Sequence, residues 1–314
     1  MDLHTDDILL ELDTIKVSIN PKIGGSITSL MIRNQMDQWA HVLRKMPIDT
    51  RSSSNSGSFF MLPWTNRIKD AKFNDQQGSH LLKSNCPDGS AIHGVGRDLP
   101  WSISDRSPIS ARLVLDSRSF DQDNINYPYQ FGAIARYEIG IDRVEIELSV
   151  TNLDTHTIPV GCGHHPYFHR HLFSDADKLQ IQMDLNGRYP TQGCIPTADP
   201  IDDDVCQSLR QGDHIGNPGL DDVFAGFSGN ATLEWPQSNV SMKMQCSKNL
   251  NHMVIYTPRT ESGDPDEYVC IEPVSMVNDG FNRLNSGVTE TGVVLLEPNQ
   301  TLRTQMILSF STCV

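Results

Sequence analysis

The chain has 314 residues with 25 basic and 39 acidic side chains, which gives a formal net charge of −14. A chain of this length buries roughly three quarters of the surface that its unfolded form exposes, enough for a large core without disulfides. Because such a charge repels phosphate groups, we expect neither nucleic acid nor an anionic membrane surface among its partners. A neutral or weakly charged ligand fits this composition better.

The first residues of the chain and the distribution of its cysteines indicate where in the cell the protein acts. Residues 1–10 carry acids where a secretory signal would carry Lys or Arg. No uncharged apolar run approaches the ~18 residues that a membrane span requires. Seven cysteines are scattered without a Cys-x-x-Cys pair, which favours reduced thiols over a disulfide framework. These features predict a cytoplasmic protein without a membrane segment.

Apolar residues alternate with polar ones along much of the chain, which is the pattern of strands with one buried face. The alternating runs are, in chain order, 15–19, 137–141, 144–150, 179–185, 240–244 and 302–310. Asp142 and Arg143 separate the second run from the third and predict a hairpin turn. Residues 51–57 are predicted to form a polar turn, and residues 199–213 an acidic, proline-containing connection.

Helical periodicity is almost absent, and no repeat recurs at a fixed period, which argues against a β-propeller. Gly and Pro supply 22 and 18 residues and punctuate the alternating runs. Neither of the two irregular stretches has the composition of a domain linker. We therefore predict an all-β protein in which residues 1–314 form a single domain, a large antiparallel sandwich.

Five segments place hydrogen-bonding side chains beside aromatic residues and turn formers. They are LPWTNRI at 62–68, IHGVGRDLPW at 92–101, GCGHHPYF at 161–168, GLDDVF at 219–224 and YVCIEPVSMVNDGFN at 268–282. Aromatic faces suit the CH surfaces of sugars, and Arg, Asp, Asn and His suit their hydroxyl groups. In this order the segments resemble the motifs of the aldose 1-epimerase (galactose mutarotase) family. Shorter matches at 124–131, 254–258 and 296–302 extend the resemblance over nearly the whole chain.

This resemblance implies a β-supersandwich fold and an enzyme that interconverts the α and β anomers of a free aldose. It implies acid–base opening and reclosure of the sugar ring, with no cofactor and no metal. The expected partner is therefore a monosaccharide, and we expect a monomer or a homodimer.

The resemblance also assigns roles to six residues. Glu272 matches the catalytic base and His165 the catalytic acid; Arg67, Asn66, His93 and Asp221 match residues that bind the substrate. The alternation in residues 269–272 independently places Glu272 and Cys270 on one face of a strand, which the following proline is expected to end. His164 remains an alternative acid, and Asp222 an alternative to Asp221.

A zinc site is the main alternative for the histidine-rich segment, where five potential ligands lie within ten residues. They are Cys162, His164, His165, His169 and His171. Pro166 interrupts any helical ligand face, and the sequence has no second ligand cluster, so we disfavour zinc.

Three other functions remain open. A hexose-6-phosphate 1-epimerase would share the acid and the base but would need cations for the phosphate, for which Arg67 and Arg97 are available. A glycosidase or lyase would pair Asp221 with Glu272, and a carbohydrate-binding protein without activity would not need His165 and Glu272 together. The overall charge of −14 favours a neutral aldose over its phosphate.

Overall fold

The computed structural model describes residue 4, residues 6–216 and residues 218–312. Cys313 and residues 1–3 and 5, which entered the predictions on location, lie outside the described residues. The six described cysteines form no disulfide. Within the described parts of the chain, no helix is long and apolar enough to cross a membrane.

Strands make up most of the regular structure. In chain order they are β1 Ile8–Leu12, β2 Ile15–Asn20, β3 Ser26–Arg33, β4 Trp39–Leu43, β5 Ser58–Met61, β6 Arg67–Ile68, β7 Lys72–Asp75, β8 Gly78–Leu81, β9 Ala91–Ile92, β10 Ser102–Arg106, β11 Ser110–Asp116, β12 Phe131–Ile139, β13 Arg143–Asn152, β14 Ile158–Val160, β15 Gly163–His169, β16 Gln180–Met183, β17 Gly187–Arg188, β18 Thr191–Gln192, β19 Ile195–Pro196, β20 Asp221–Ala225, β21 Asn230–Trp235, β22 Val240–Cys246, β23 His252–Tyr256, β24 Tyr268–Val274, β25 Val294–Leu296 and β26 Thr301–Thr312. The α-helices are α1 Asp204–Gln211 and α2 Gly280–Asn285, and 3-10 turns lie at Ser53–Asn55, Lys69–Ala71, Ser117–Ser119, Gln122–Asn124 and Pro236–Ser238.

Two large antiparallel sheets form the body of the molecule. The first has ten strands in the order β1-β2-β3-β4-β15-β24-β23-β20-β17, with β5 pairing beside β15 and β3. The second has eight strands in the order β10-β11-β12-β13-β26-β22-β21-β16. Apolar side chains of both sheets pack into one continuous core. The predicted all-β antiparallel sandwich is therefore confirmed.

The predicted hairpin is also confirmed, because β12 and β13 pair from Phe131 opposite Asn152 to Ile139 opposite Val144. The first of these strands ends two residues earlier than the pattern suggested. Ile141 lies in the turn and is 69% exposed, so its place in the alternation was coincidental.

The expectation of an irregular connection over residues 199–213 was wrong, because that stretch contains helix α1. The Asp203 side chain caps the helix by accepting a hydrogen bond from the Cys206 backbone N–H at 3.1 Å. Gly212 ends the helix in the left-handed conformation, with φ of 77°. These two capping residues were visible in the sequence and could have identified the helix.

Candidate active site

A cavity of about 380 Å³ opens on the face of the ten-stranded sheet that points away from the sandwich core. Its size falls within the roughly 300–1,000 Å³ of small-molecule sites. All six residues that the sequence singled out line it: Asn66, Arg67, His93, His165, Asp221 and Glu272. The fold thus brings together side chains that are separated by more than 200 positions in the chain.

Strand register explains how the central side chains meet. Phe59 on β5 lies opposite His165 on β15, and Glu272 on β24 lies opposite Val254 on β23. Since side chains at paired positions share a face of the sheet, these residues form one row across it. Asp221 belongs to the next row, where β20 pairs with β23.

The pairing of β15 with β24 is interrupted at the centre of this row. The two strands pair at Gly163 and again from Tyr167 to His169, but not between. The gap contains Pro166 on one strand and Pro273 on the other, neither of which has a backbone N–H to donate. The expectation that proline ends the strand after Glu272 was wrong, because β24 continues through Pro273 and pairs there with β23. Pro166 and Pro273 instead lie where β15 and β24 do not pair, next to His165 and Glu272.

His165 and Glu272 form a close, buried pair. The imidazole Nε2 lies 3.2 Å from the carboxylate Oε1, and the two side chains are 8% and 2% exposed. Burial, followed by the negative charge of Asp221, raises the pKa of Glu272 well above its ordinary value, while Arg67 opposes the shift. Burial, with a smaller effect of Arg97, lowers the pKa of His165. Burial therefore favours the neutral form of both members, a protonated carboxyl group on Glu272 and an uncharged imidazole on His165.

His164 points to the opposite side of the sheet, as the alternation of strand side chains requires. It is 1% exposed and packs edge-to-face against Phe60 in the core, with ring centroids 5.4 Å apart. Its Nε2 has no hydrogen-bond partner, and burial lowers the pKa of the imidazole to about 3. Of the two adjacent histidines, therefore, only His165 faces the cavity.

Arg67 is held beside Glu272 by two carboxylates. Its Nε donates to Asp88 at 2.9 Å, and its Nη2 lies 3.6 Å from Asp221. The same Asp221 oxygen accepts a hydrogen bond from the Cys194 thiol at 3.1 Å. Asp222 instead faces Arg188 at 3.5 Å, so Asp221 is the member of the acidic pair that lines the cavity.

Sequence reasoning did not identify Asp88 or Cys194 as part of this group. Both come from irregular segments, and neither belongs to a motif that was singled out. Their positions depend on the pairing of β6 with β9 and on the contact of the Cys194 carbonyl oxygen with Asn278.

His93 covers the edge of the His165 ring. Its centroid lies 5.0 Å from that of His165, with the rings nearly perpendicular. Its Nδ1 contacts the Met61 sulfur at 3.0 Å, and burial lowers its pKa. The turn depends on Gly94, where φ is 69° and a Cβ atom would lie 2.0 Å from the Leu62 carbonyl oxygen.

The five potential zinc ligands in the histidine-rich segment do not converge. Strand alternation separates His164 from His165, and Cys162 is buried against Thr304 in the core. Among the described residues, a different trio has ligand atoms within 4.8 Å of one another, namely His165, Cys270 and Glu272. Burial raises the pKa of the Cys270 thiol, which disfavours the thiolate that a metal would bind.

Buried histidines should make the protein sensitive to acid. Burial lowers the pKa of His252 from 6.5 to about 4. Its contribution to stability is therefore complete above pH 6.5 and is lost as the pH falls towards 4. We expect His252→Gln to flatten the dependence of unfolding free energy on pH by up to about 1.4 kcal/mol per unit in this window. Urea unfolding of both proteins at several pH values would test this, and parallel curves would contradict it.

The sequence of the chain is similar to one protein family and to two proteins of Escherichia coli. The model of the family described as "Aldose 1-epimerase" matches residues 7–309. Two uncharacterized proteins of Escherichia coli K12 are similar in sequence. YphB is 24% identical over 265 residues, covering 82% of this chain and 84% of that protein. YihR is 25% identical over 227 residues, covering 71% and 70%.

Solved structures share the fold. A putative aldose 1-epimerase from Escherichia coli K12 superposes with a TM-score of 0.81 at 22% identity, covering 98% of this chain and 99% of that one. A galactose mutarotase-like protein from Clostridium acetobutylicum gives 0.82 at 18% identity, covering 98% and 95%. These likenesses confirm the β-supersandwich that the sequence motifs implied.

Proposed function

The chain belongs to the aldose 1-epimerase family, and we propose that it is a mutarotase that interconverts the α and β anomers of an aldose whose anomeric hydroxyl is free. One observation supports this proposal most directly. A buried carboxylate and a buried imidazole lie 3.2 Å apart at the centre of a polar cavity. An acid and a base at this separation can act together on the two oxygens bonded to one anomeric carbon.

In the proposed reaction, Glu272 takes the proton of the anomeric hydroxyl O1 while His165 gives a proton to the ring oxygen O5. The C1–O5 bond breaks, O1 becomes the aldehyde oxygen, and the C5 hydroxyl is released from the ring. Rotation about the C1–C2 bond turns the other face of the aldehyde towards that hydroxyl. Reclosure returns a proton from O5 to His165 and one from Glu272 to O1, which yields the opposite anomer.

The charge states of the pair support this cycle. Ring opening starts with the proton on His165 and ends with it on Glu272, so the pair holds one proton at each stage. Burial favours a protonated Glu272 and an uncharged His165. In the proposed cycle, the pair has these two protonation states while the aldehyde is open. Arg67 partly offsets this preference at Glu272, so its charge supports the ionised base that begins the reaction.

Three further groups are proposed to orient the sugar. Arg67 and Asn66 are joined by a hydrogen bond of 3.1 Å and present donors to hydroxyl groups beside Glu272. Asp221 accepts hydroxyl hydrogen bonds from the neighbouring row, and His93 contacts the substrate from the His165 side. Since these steps transfer protons and break and re-form the C1–O5 bond without a net oxidation or reduction, we propose that the reaction needs no cofactor. Buried thiols such as Cys162 and Cys270 suit the reducing cytoplasm, where we propose that the enzyme acts.

Polarimetry would test this function. Freshly dissolved α-D-glucose and α-D-galactose are expected to reach anomeric equilibrium faster with the protein than in buffer alone. If the protein accelerates mutarotation of no aldose, neutral or anionic, the proposal is wrong. If the protein instead hydrolyses the glycosidic bond of an aryl glycoside, and this activity depends on Asp221 and Glu272, the result would support a glycosidase.

A further inference from the structure

Two arginines lie near His165: Arg44 lines the cavity, and Arg97 lies behind Ser54, which also lines it. The Arg44 guanidinium lies over the Tyr167 ring, 3.8 Å from its centroid, and 4.8 Å from that of Tyr268. The Arg97 guanidinium lies 4.6 Å from the centroid of Phe59. Arg97 was considered from sequence, whereas Arg44 belonged to no segment that was singled out.

The aromatic rings beneath these cations are the direct neighbours of the proposed acid. The His165 ring lies 4.5 Å from Phe59, which is opposite it on β5, and 4.6 Å from Tyr167, two positions along β15. The three rings therefore tile one face of the sheet. One guanidinium group therefore lies over each of the two rings that flank His165.

Both arginines are fixed in place but keep donors free. Arg97 Nη2 donates to the Ser54 hydroxyl at 2.8 Å, and Arg44 Nη2 donates to the Ser54 and Ser56 carbonyl oxygens. Arg44 Nε also donates to Ser56. Since a guanidinium has five N–H donors, the Nη1 group of each arginine remains available. Ser54 and Arg44 both line the cavity.

The charges on the two sides of the cavity are balanced differently. Arg67 is neutralised by Asp88 and Asp221. Within the residues that the structure describes, no carboxylate lies within 4.0 Å of the Arg44 guanidinium. Arg97 has Asp98 at 3.5 Å, and that aspartate is 56% exposed, so water screens the pair. The His165 side therefore carries an excess of positive charge.

Sugar chemistry connects this charge with one position of the substrate. In an aldohexose pyranose the ring oxygen is bonded to C5, and C5 carries the exocyclic C6. If His165 protonates the ring oxygen, C6 projects towards the His165 side, away from the anomeric hydroxyl at Glu272. We infer that the substrate is an aldose with an anionic group on C6, which Arg44 and Arg97 hold. The inference rests on the proposed function. A phosphate, a sulfonate and a carboxylate share this chemistry.

The net charge of −14 led us to expect a neutral aldose, but the two cations near His165 favour an anionic one. That charge acts over the whole surface and is screened beyond about 10 Å by salt. Two partly buried guanidinium groups act at contact distance, where a charge-assisted hydrogen bond is roughly twice as strong as a neutral one. The local arrangement therefore outweighs the global repulsion.

The same arrangement would prepare the acid for its task. After burial, Arg97 has the largest effect in lowering the pKa of His165, and Arg44 acts in the same direction. An anionic group bound to both arginines would offset their positive charge. The bound substrate would thus raise the proton affinity of the imidazole that must protonate it.

Anomer exchange should be measured by NMR for four sugars under identical conditions: glucose, glucose 6-phosphate, 6-deoxy-6-sulfoglucose and glucuronate. Because a hydrogen bond to a charged group contributes about 1.5–3 kcal/mol, kcat/KM for at least one anionic sugar should exceed that for glucose about tenfold or more. The sugar with the highest kcat/KM identifies which anion the site takes. Equal kcat/KM values for glucose and all three anionic sugars would overturn the inference and leave the proposed function standing.

Variants test whether the arginines cause the preference. Arg97→Gln and Arg44→Gln are each expected to reduce the ratio of anionic to neutral kcat/KM about tenfold, because each removes a charge-assisted contact. Arg97→Lys keeps the charge and should retain more of the preference than Arg97→Gln. Arg106→Gln removes an equal charge from an exposed strand and should leave the ratio unchanged. Equal losses for neutral and anionic sugars in Arg97→Gln would show a structural role only and would overturn the inference. If all four sugars are inert while α-D-galactose is accelerated, the inference fails and the proposed function stands; if α-D-galactose and every other aldose tested are inert as well, the proposed function itself fails.

Discussion

Glu272→Gln is expected to lower kcat for anomer interconversion about 10²- to 10⁴-fold, the usual contribution of a positioned general base. The substitution keeps the size and shape of the side chain but removes the group that is proposed to take the O1 proton. Water cannot easily replace this group, since Glu272 is 2% exposed. The measurement is polarimetry or NMR exchange at saturating sugar, compared with the unmodified protein.

The stability of Glu272→Gln should not fall along with its activity. The pKa of Glu272 is raised from 4.5 by burial, so its contribution to stability is complete below pH 4.5. That contribution is lost as the pH rises through the raised value. A neutral glutamine avoids this penalty, and the melting temperature at pH 8 should be unchanged or higher.

Glu267→Gln provides a matched control, because this exposed residue immediately precedes β24 and undergoes the same chemical change. It should change neither activity nor stability appreciably. Full activity in Glu272→Gln would refute the assignment of the base and direct attention to Asp221. Inactivity together with a much lower melting temperature would indicate a structural role for Glu272.

Much of the fold was predictable because strand alternation is a local signal. Each buried face of β12 and β13 follows from residues two positions apart, and the turn between them follows from Asp142 and Arg143. Helix α1 was missed because it contributes only three apolar side chains, Val205, Cys206 and Leu209, among polar residues. Only its capping residues distinguish that segment from a loop.

The candidate site was predictable to the extent that its residues lie in motifs. The alternation that placed Cys270 and Glu272 on one face is confirmed, because the ligand atoms of both side chains lie within 4.8 Å of each other and of His165. The adjacent pair His164 and His165 could not be resolved from sequence, because the face of a strand depends on its register with neighbours. Arg44 could not be found at all, since its contact with the Tyr167 ring joins segments that are distant in the chain.

His165→Asn is expected to reduce kcat about 10²- to 10⁴-fold, because it removes the imidazole whose Nε2 lies 3.2 Å from the Glu272 carboxylate and is proposed to protonate the ring oxygen. The matched control is His164→Asn, which makes the same chemical change one position earlier. That side chain packs against Phe60 on the core side of the sheet. Its loss should cost about 1–3 kcal/mol of unfolding free energy through a cavity and a poorly satisfied amide.

The two variants should therefore separate activity from stability. His165→Asn should lose activity at a melting temperature close to that of the unmodified protein, whereas His164→Asn should melt several degrees lower and keep kcat within about tenfold. Activity should be measured at a temperature below the melting transitions found for both variants, so that unfolding does not imitate a loss of catalysis. The reverse outcome, with activity lost only in His164→Asn, would refute the role of His165, since a single strand cannot present adjacent side chains to the same face.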